Sequence, residues 1–302
     1  MVATEFLQDP QVRQWLDGVE PAWTLLTFDS LRALRQEPSA GQTTIRIAND
    51  LSADELAGSA VVRNTLILLR QAIESGGLPL TSTGNLSRAA VAKMRELIEW
   101  PHYDQADAFR FNKVINEPDF LPLHVVRLFA QAATLRAQRG KLVATPLGKS
   151  MLSNARQSSL PAILFHLVFW HMDLGYFGRG VLGSWPQADI GIVLWSLSVS
   201  AGDWQTSDKL TRLCTIPESA ILSGTWDRSA FALEARILRP LLWFGLLEYR
   251  SEKIPASKFA AALLSQGRTL RSPAHIRCQN GFCGGLPSLM VNWLTNMIFL
   301  AS

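Results

Sequence analysis

Six side chains carry the strongest chemical signal in this chain: Arg127 and Gln131 on a predicted helix, Arg136, Arg139 and Lys141 around a predicted hairpin, and Lys149 just beyond it. Cations held on a hairpin suit phosphate oxygens, whereas an arginine and a glutamine on one helix face suit base edges in a DNA major groove. The order matches a recognition helix followed by a basic wing, so double-stranded DNA is one expected partner. The competing reading is an ordinary solvated face, because hairpin tips are commonly polar; the module would then pair with another protein instead.

Other groupings are weaker. Gly178-Arg179-Gly180-Val181-Leu182-Gly183 spells a dinucleotide-binding GxGxxG, but no strand pattern precedes it and Ser184-Trp185-Pro186 stands where a helix must open. The segment reads as a loop between helices. His166 and His171, with Asp173 nearby, invite a metal, yet residues five apart on an α-helix lie about 140° from one another around the axis. They are expected on divergent faces. His275, Cys278 and Cys283 lack a fourth ligand close in sequence, and Cys214 sits in an apolar helix with no neighbouring histidine. GxSxG, Walker and HExxH patterns do not occur. The residues therefore predict no catalytic site, no cofactor and no metal.

The elements that must carry these residues are mainly helical. Asp9-Pro10 and Pro21 start helices in a predicted N-terminal helical extension (1–60), the second running through Trp23 to Leu34, with Thr43 to Ile47 alternating like a short strand. Ser52-Ala53-Asp54-Glu55 has the form of a capping box. A helix from Val61 stops at Gly76-Gly77, Leu78 to Thr81 reads as a strand, and Ser87 caps a second helix. After Pro118 a third helix spans about Leu123 to Arg136. Gly140-Lys141-Leu142-Val143-Ala144-Thr145-Pro146 then reads as a hairpin arm feeding a helix start. Helix, strand, helix, helix, hairpin is winged-helix order.

The second half repeats the plan. Helices begin at Ile190, Ser207 and Ala230, and Pro240 is expected to kink or reshape the last. A strand follows Gly245, a return strand is expected at Lys253 to Pro255, and Ser257 to Leu264 matches the helix after the first wing. A helix through Ala162 to Met172 joins the halves. The predicted fold class is mainly α with small β-hairpins: two tandem winged-helix-like units, 61–153 and 154–265, after the N-terminal extension, with an irregular tail at 266–302.

Leu78-Pro79-Leu80-Thr81, Gly84-Asn85-Leu86 and the later run through Leu128 to Gly148 resemble the C-terminal helical region of bacterial proteins of the plasmid pRiA4b ORF-3 family, in which a Leu-Thr-x-x-Gly-x-Leu segment and a Gly-x-Leu-x-x-Thr-x-x-Gly segment bracket the helices. Leu174 to Phe177 and Arg239 to Gly245 are similar to stretches in uncharacterised alphaproteobacterial proteins. The likeness implies a plasmid or mobile-element setting, and it supplies no catalytic residue because that family's N-terminal α/β domain has no counterpart here.

With 48% hydrophobic and 18% charged residues the chain reads as globular. Its net charge of +4 is uneven: residues 1–60 carry 4 basic and 9 acidic side chains, residues 61–153 carry 12 and 7. The first unit is therefore basic, beside an acidic segment able to neutralise it. The apolar runs Leu160 to Trp170 and Ile190 to Val199 are too short to cross a bilayer, and the longer Leu286 to Ala301 is interrupted by Asn292 and Asn296. Three cysteines and an acidic start without a leader pattern predict a cytoplasmic protein not inserted in a membrane. The sequence sets no oligomeric state.

Overall fold

A computed structural model describes residues 2–38, 45, 53–106, 109, 113–224, 228–251 and 274–278. Among the described residues the chain is mainly helical, with two small antiparallel sheets of three strands. It divides into two units: residues 1–46, 173–242 and 246–302 form one, and residues 47–172 with 243–245 form the other.

In the first unit, α1 (Val2–Gln8) leads to α2 (Pro10–Leu16), whose first turn is closed by Asp9 Oδ1 accepting from the Gln11 N–H at 2.7 Å. The helix expected from Pro21 to Leu34 is broken in two. Ala22–Leu25 forms one 3₁₀ turn; the chain then extends, and Thr27 Oγ1 accepts from the Ser30 N–H to start α3 (Phe28–Leu34). Thr27 competes for the backbone as a cap, which is why one helix becomes two.

The expected N-terminal extension also does not stand apart. Trp23 Nε1 donates to the Thr215 carbonyl at 3.0 Å, Arg212 Nε donates to the Trp15 carbonyl at 2.8 Å, and Val12, Trp15 and Leu16 share a core with Trp185 and Ile221. Two tryptophans need more apolar cover than short helices can give each other, so the helices within residues 2–38 complete a core with Trp185 and Ile221 of the second half. Of the strand expected at Thr43 to Ile47, only Ile45 lies among the described residues.

The second unit opens with α4 (Ala53–Gly58) and α5 (Ala60–Glu74), the latter capped by Ser59. Then come β1 (Leu78–Pro79), α6 (Arg88–Leu97) capped by Ser87, α7 (Leu121–Ala133), and the hairpin strands β2 (Leu135–Gln138) and β3 (Lys141–Ala144). Strand β3 lies between β1 and β2, with Leu78 opposite Leu142 and Leu135 opposite Ala144. The third helix therefore ends earlier than expected, and Leu135 and Arg136 belong to the hairpin. The Thr134 carbonyl accepts the Thr145 N–H at 2.9 Å, pulling the chain out of the helix to close the hairpin base.

Leu68, Leu69, Met94, Leu123, Val126, Leu135 and Leu142 form this unit's core. Beyond the hairpin, α8 (Pro146–Ser150) starts on Thr145, whose hydroxyl accepts the Gly148 N–H at 3.0 Å. Next come α9 (Asn154–Gln157) and α10 (Leu160–His166), which continues into a π-helical turn at Leu167–His171. Both α10 and the π turn lie against α7.

The first unit resumes with α11 (Ile190–Ser200), β4 (Gln205–Thr206), α12 (Ser207–Cys214), α13 (Ser219–Leu222) and α14 (Ser229–Leu233). A second π turn, Glu234–Leu238, leads into α15 (Arg239–Trp243), then β5 (Leu247–Ser251) and β6 (Ala274–Cys278). Pro240 lacks an N–H and its ring opposes the carbonyl four residues back, and the π turn is the local reshaping that accommodates it. The order β4–β6–β5 repeats β1–β3–β2. The return strand and helix expected at 253–264 lie outside the described residues. The partner observed for β5 is β6, with Leu247 opposite Cys278 and Ser251 opposite Ala274, so the expected irregular tail contributes a strand. Buried Ile276 gives that strand its inner face.

Candidate nucleic-acid interface

The β2–β3 hairpin turns through two residues, Arg139 and Gly140, at φ of 48° and 71°. Two successive positive φ values define the tight turn whose twist matches a hairpin, and glycine at the second place adopts it without a Cβ clash. Register then sorts the side chains. Leu135, Leu142 and Ala144 are buried, while Arg136, Gln138 and Lys141 are exposed together on the other face and Arg139 stands at the tip. Arg136 donates to Gln138 Oε1 at 3.1 Å, and Lys141 Nζ lies 3.4 Å from the Gly76 carbonyl at the end of α5. Lys149 is exposed on α8. Among the described residues none of these four cations carries an ion pair.

Arg127 and Gln131 are not part of this group. Arg127 turns inward, where its Nη1 donates to both carboxylate oxygens of Glu117 at 2.6 and 2.7 Å. Glu117 is fully buried; its Oε2 also accepts the Leu86 N–H at 2.6 Å, and His124 Nδ1 lies 3.2 Å from its Oε1. Burial alone would raise this carboxyl. The hydrogen bonds from His124, Leu86 and Arg127, with the Arg127 charge, outweigh burial and hold it below the usual carboxylate range. Gln131 is half-buried, and on α7 only Leu121 and Ala132 are exposed, because α5, α10 and the π turn pack round the helix. The helix expected to enter a groove is thus largely occupied, and the cations that remain presentable are those of the hairpin and α8.

The signal for Glu117 was present but faint. Asn116-Glu117-Pro118-Asp119 forms a capped 3₁₀ turn, in which Asp119 Oδ2 accepts the Asn116 N–H at 2.9 Å, and this turn aims Glu117 inward at α7.

The GxGxxG segment has the polarity opposite to a phosphate cradle. The carbonyls of Val181, Gly183 and Trp185 point at the buried Arg236 guanidinium and accept its hydrogen bonds, the Gly183 contact being 2.7 Å. A loop that presents carbonyl oxygens to a cation repels an anion. Burial lowers the pKa of Arg236 and the charge of Asp173 opposes that shift. Cys214 is buried, which pushes its thiol up and leaves it protonated. His166 and His171 do not diverge as a regular helix requires: their Nε2 atoms lie 3.2 Å apart. Bonding from i to i+5 across the π turn lowers the rotation per residue below that of an α-helix, so residues five apart come round much closer to one face. Among the described residues no helix is long and apolar enough to cross a membrane.

Residues 57–157, which include α5 through β3, match the family described as the Y4jL N-terminal domain. A stretch of 109 residues is 32% identical to the uncharacterized protein y4jL of Sinorhizobium fredii (strain NBRC 101917 / NGR234), covering 36% of this chain and 49% of that protein. The chain thus spans about half the length of that curated relative. No solved structure matches.

Proposed function

We propose that this is a non-enzymatic cytoplasmic protein whose two helix, strand, helix, helix, hairpin units are winged-helix-like, and that it binds double-stranded DNA through the β2–β3 hairpin. The observation that carries the reading is the set Arg136, Arg139 and Lys141, exposed and without an ion pair among the described residues, on a hairpin whose other face is fixed in the core. The identical strand order of the two sheets supports the fold assignment. Contact is to the phosphate backbone, because α7 is packed on several sides and Arg127 is committed to Glu117. The plasmid or mobile-element setting rests on the resemblance to the pRiA4b ORF-3 family alone.

Fluorescence anisotropy with a random duplex at 50 and 200 mM salt tests this. Three phosphate contacts predict an affinity loss of about 40-fold between the two. Absence of duplex binding at 50 mM overturns the proposal.

A second reading, a protein-interaction module without DNA binding, is favoured by the coverage of α7 and by Leu25 and Phe28, which are 77% and 70% exposed. Arg139→Ala with Lys141→Ala separates the two: loss of DNA affinity supports the first, and a retained partner complex with no DNA affinity in either form supports the second.

A further inference from the structure

The paired histidines lie on the outer side of a segment whose inner side is firmly held. Leu164, Phe165, Val168 and Phe169 are buried, and Phe165 packs on Phe169 with ring centroids 4.5 Å apart. The i to i+5 bond from the Met172 N–H to the Leu167 carbonyl, 3.0 Å long, closes the π turn. Trp170 stacks on His166 at 5.7 Å between centroids and 19° between planes, which sets that imidazole's orientation. His171 is exposed, His166 half-buried, and their rings tilt by 58° so that the two Nε2 atoms face each other.

Two imidazole nitrogens bound to one tetrahedral zinc at roughly 2.0–2.1 Å sit about 3.3–3.4 Å apart. The observed separation of 3.2 Å is that bite within a few tenths of an ångström. We infer that His166 and His171 supply two ligands of a site for a divalent transition ion of the zinc class. Neutral imidazole suits this borderline class of cation and suits calcium or magnesium poorly. One ring otherwise donates its Nε2 proton to the other ring. Metal binding requires both Nε2 lone pairs, so that proton moves through solvent to Nδ1 of the same ring. No net proton is released while both rings are neutral. A regular α-helix would have separated the pair, and the π turn supplies the convergence, as such turns often do at functional positions.

The test is calorimetric titration of the full chain with zinc chloride at pH 7.5, with far-UV circular dichroism as the check on folding. His275, Cys278 and Cys283 are alternative zinc ligands elsewhere in the chain, so a Cys278→Ser/Cys283→Ser variant is titrated alongside. The wild type and the cysteine variant should each bind one zinc at this site, and His166→Gln and His171→Gln should each weaken it by at least about tenfold. Because His171 is exposed, H171Q tests the site even if H166Q misfolds. Binding that is unchanged in H171Q, or lost in the cysteine variant, overturns the assignment. Long-range ¹H–¹⁵N spectra give an independent readout: zinc should shift the ring nitrogens of His166 and His171, and shifts on neither overturn it.

Discussion

Arg127 and Glu117 form a buried ion pair in which one guanidinium nitrogen lies 2.6 and 2.7 Å from the two carboxylate oxygens. The pair joins the turn before α7 to the middle of that helix, and through Leu86 to the segment before α6. Removing one partner of such a pair leaves the other charge buried and uncompensated. Glu117→Gln should therefore destabilise the chain by about 3–5 kcal/mol in urea unfolding. A change below about 1 kcal/mol would show that the pair is solvated in solution.

The same carboxyl fixes a pH dependence. Its folded pKa is lowered from an ordinary value of 4.5, so its stabilisation is fully present above that value and is lost as pH falls through the folded pKa. Urea midpoints measured from pH 7 downward should decline below about 4.5, and the decline should be shallower in Glu117→Gln. Equal slopes in the two proteins would assign the acid sensitivity to other carboxylates.

The hairpin prediction is electrostatic and can be read without a known DNA sequence. If Arg139 and Lys141 each neutralise a phosphate, Arg139→Ala with Lys141→Ala should reduce the slope of log affinity against log salt by about 2. Arg127→Ala should leave that slope unchanged while destabilising the fold. A slope that falls in R127A and not in the double variant would move the contact from the hairpin to α7.

Two glycines in one ten-residue stretch answer to different physics. At Gly140 there is open space around the missing Cβ, but φ is 71°, so Gly140→Ala should cost about 1–2 kcal/mol and Gly140→Asn less. At Gly148 the backbone is ordinary, yet a methyl group would overlap the Thr134 carbonyl oxygen and crowd Leu69. Gly148→Ala should cost about 1–3 kcal/mol by forcing α8 off the hairpin base. Thermal unfolding of the three variants checks both; a neutral G148A would mean that α8 shifts freely.

What could be read from sequence follows from how local each cause is. Thr145-Pro146, Ser87 and Asp9 act on their own helix starts, and Arg139-Gly140 acts on its own turn, so these features lie where turn and cap chemistry places them. The inward turn of Arg127 depends on a carboxylate ten residues earlier, and the pairing of β5 with residues 274–278 depends on a contact made across a long intervening segment. Nothing local marks either. The convergence of His166 and His171 was hidden differently, because a uniform 100° per residue fails where five residues of π helix replace a regular turn. The tryptophans that bind residues 2–38 to the second half were visible as residues, but not their destination, since burial names a need and not a partner.

Arg236 offers the sharpest check on the rejected nucleotide loop. Its guanidinium is fully buried and satisfies the carbonyls of Val181, Gly183 and Trp185 at once, from a π turn that brings it under residues 178–185. Lysine has three donors on one nitrogen and cannot reproduce a planar fork that spans three carbonyls. Arg236→Lys should therefore lose about 1–3 kcal/mol through unpaired carbonyls, and Arg236→Met more. Chemical unfolding gives these values, and limited proteolysis should show new cleavage between residues 178 and 185. Because the loop's carbonyls remain in place, neither variant should gain affinity for a fluorescent adenine dinucleotide. Dinucleotide binding by the wild-type chain would reverse the reading of this loop as a carbonyl cradle for a cation.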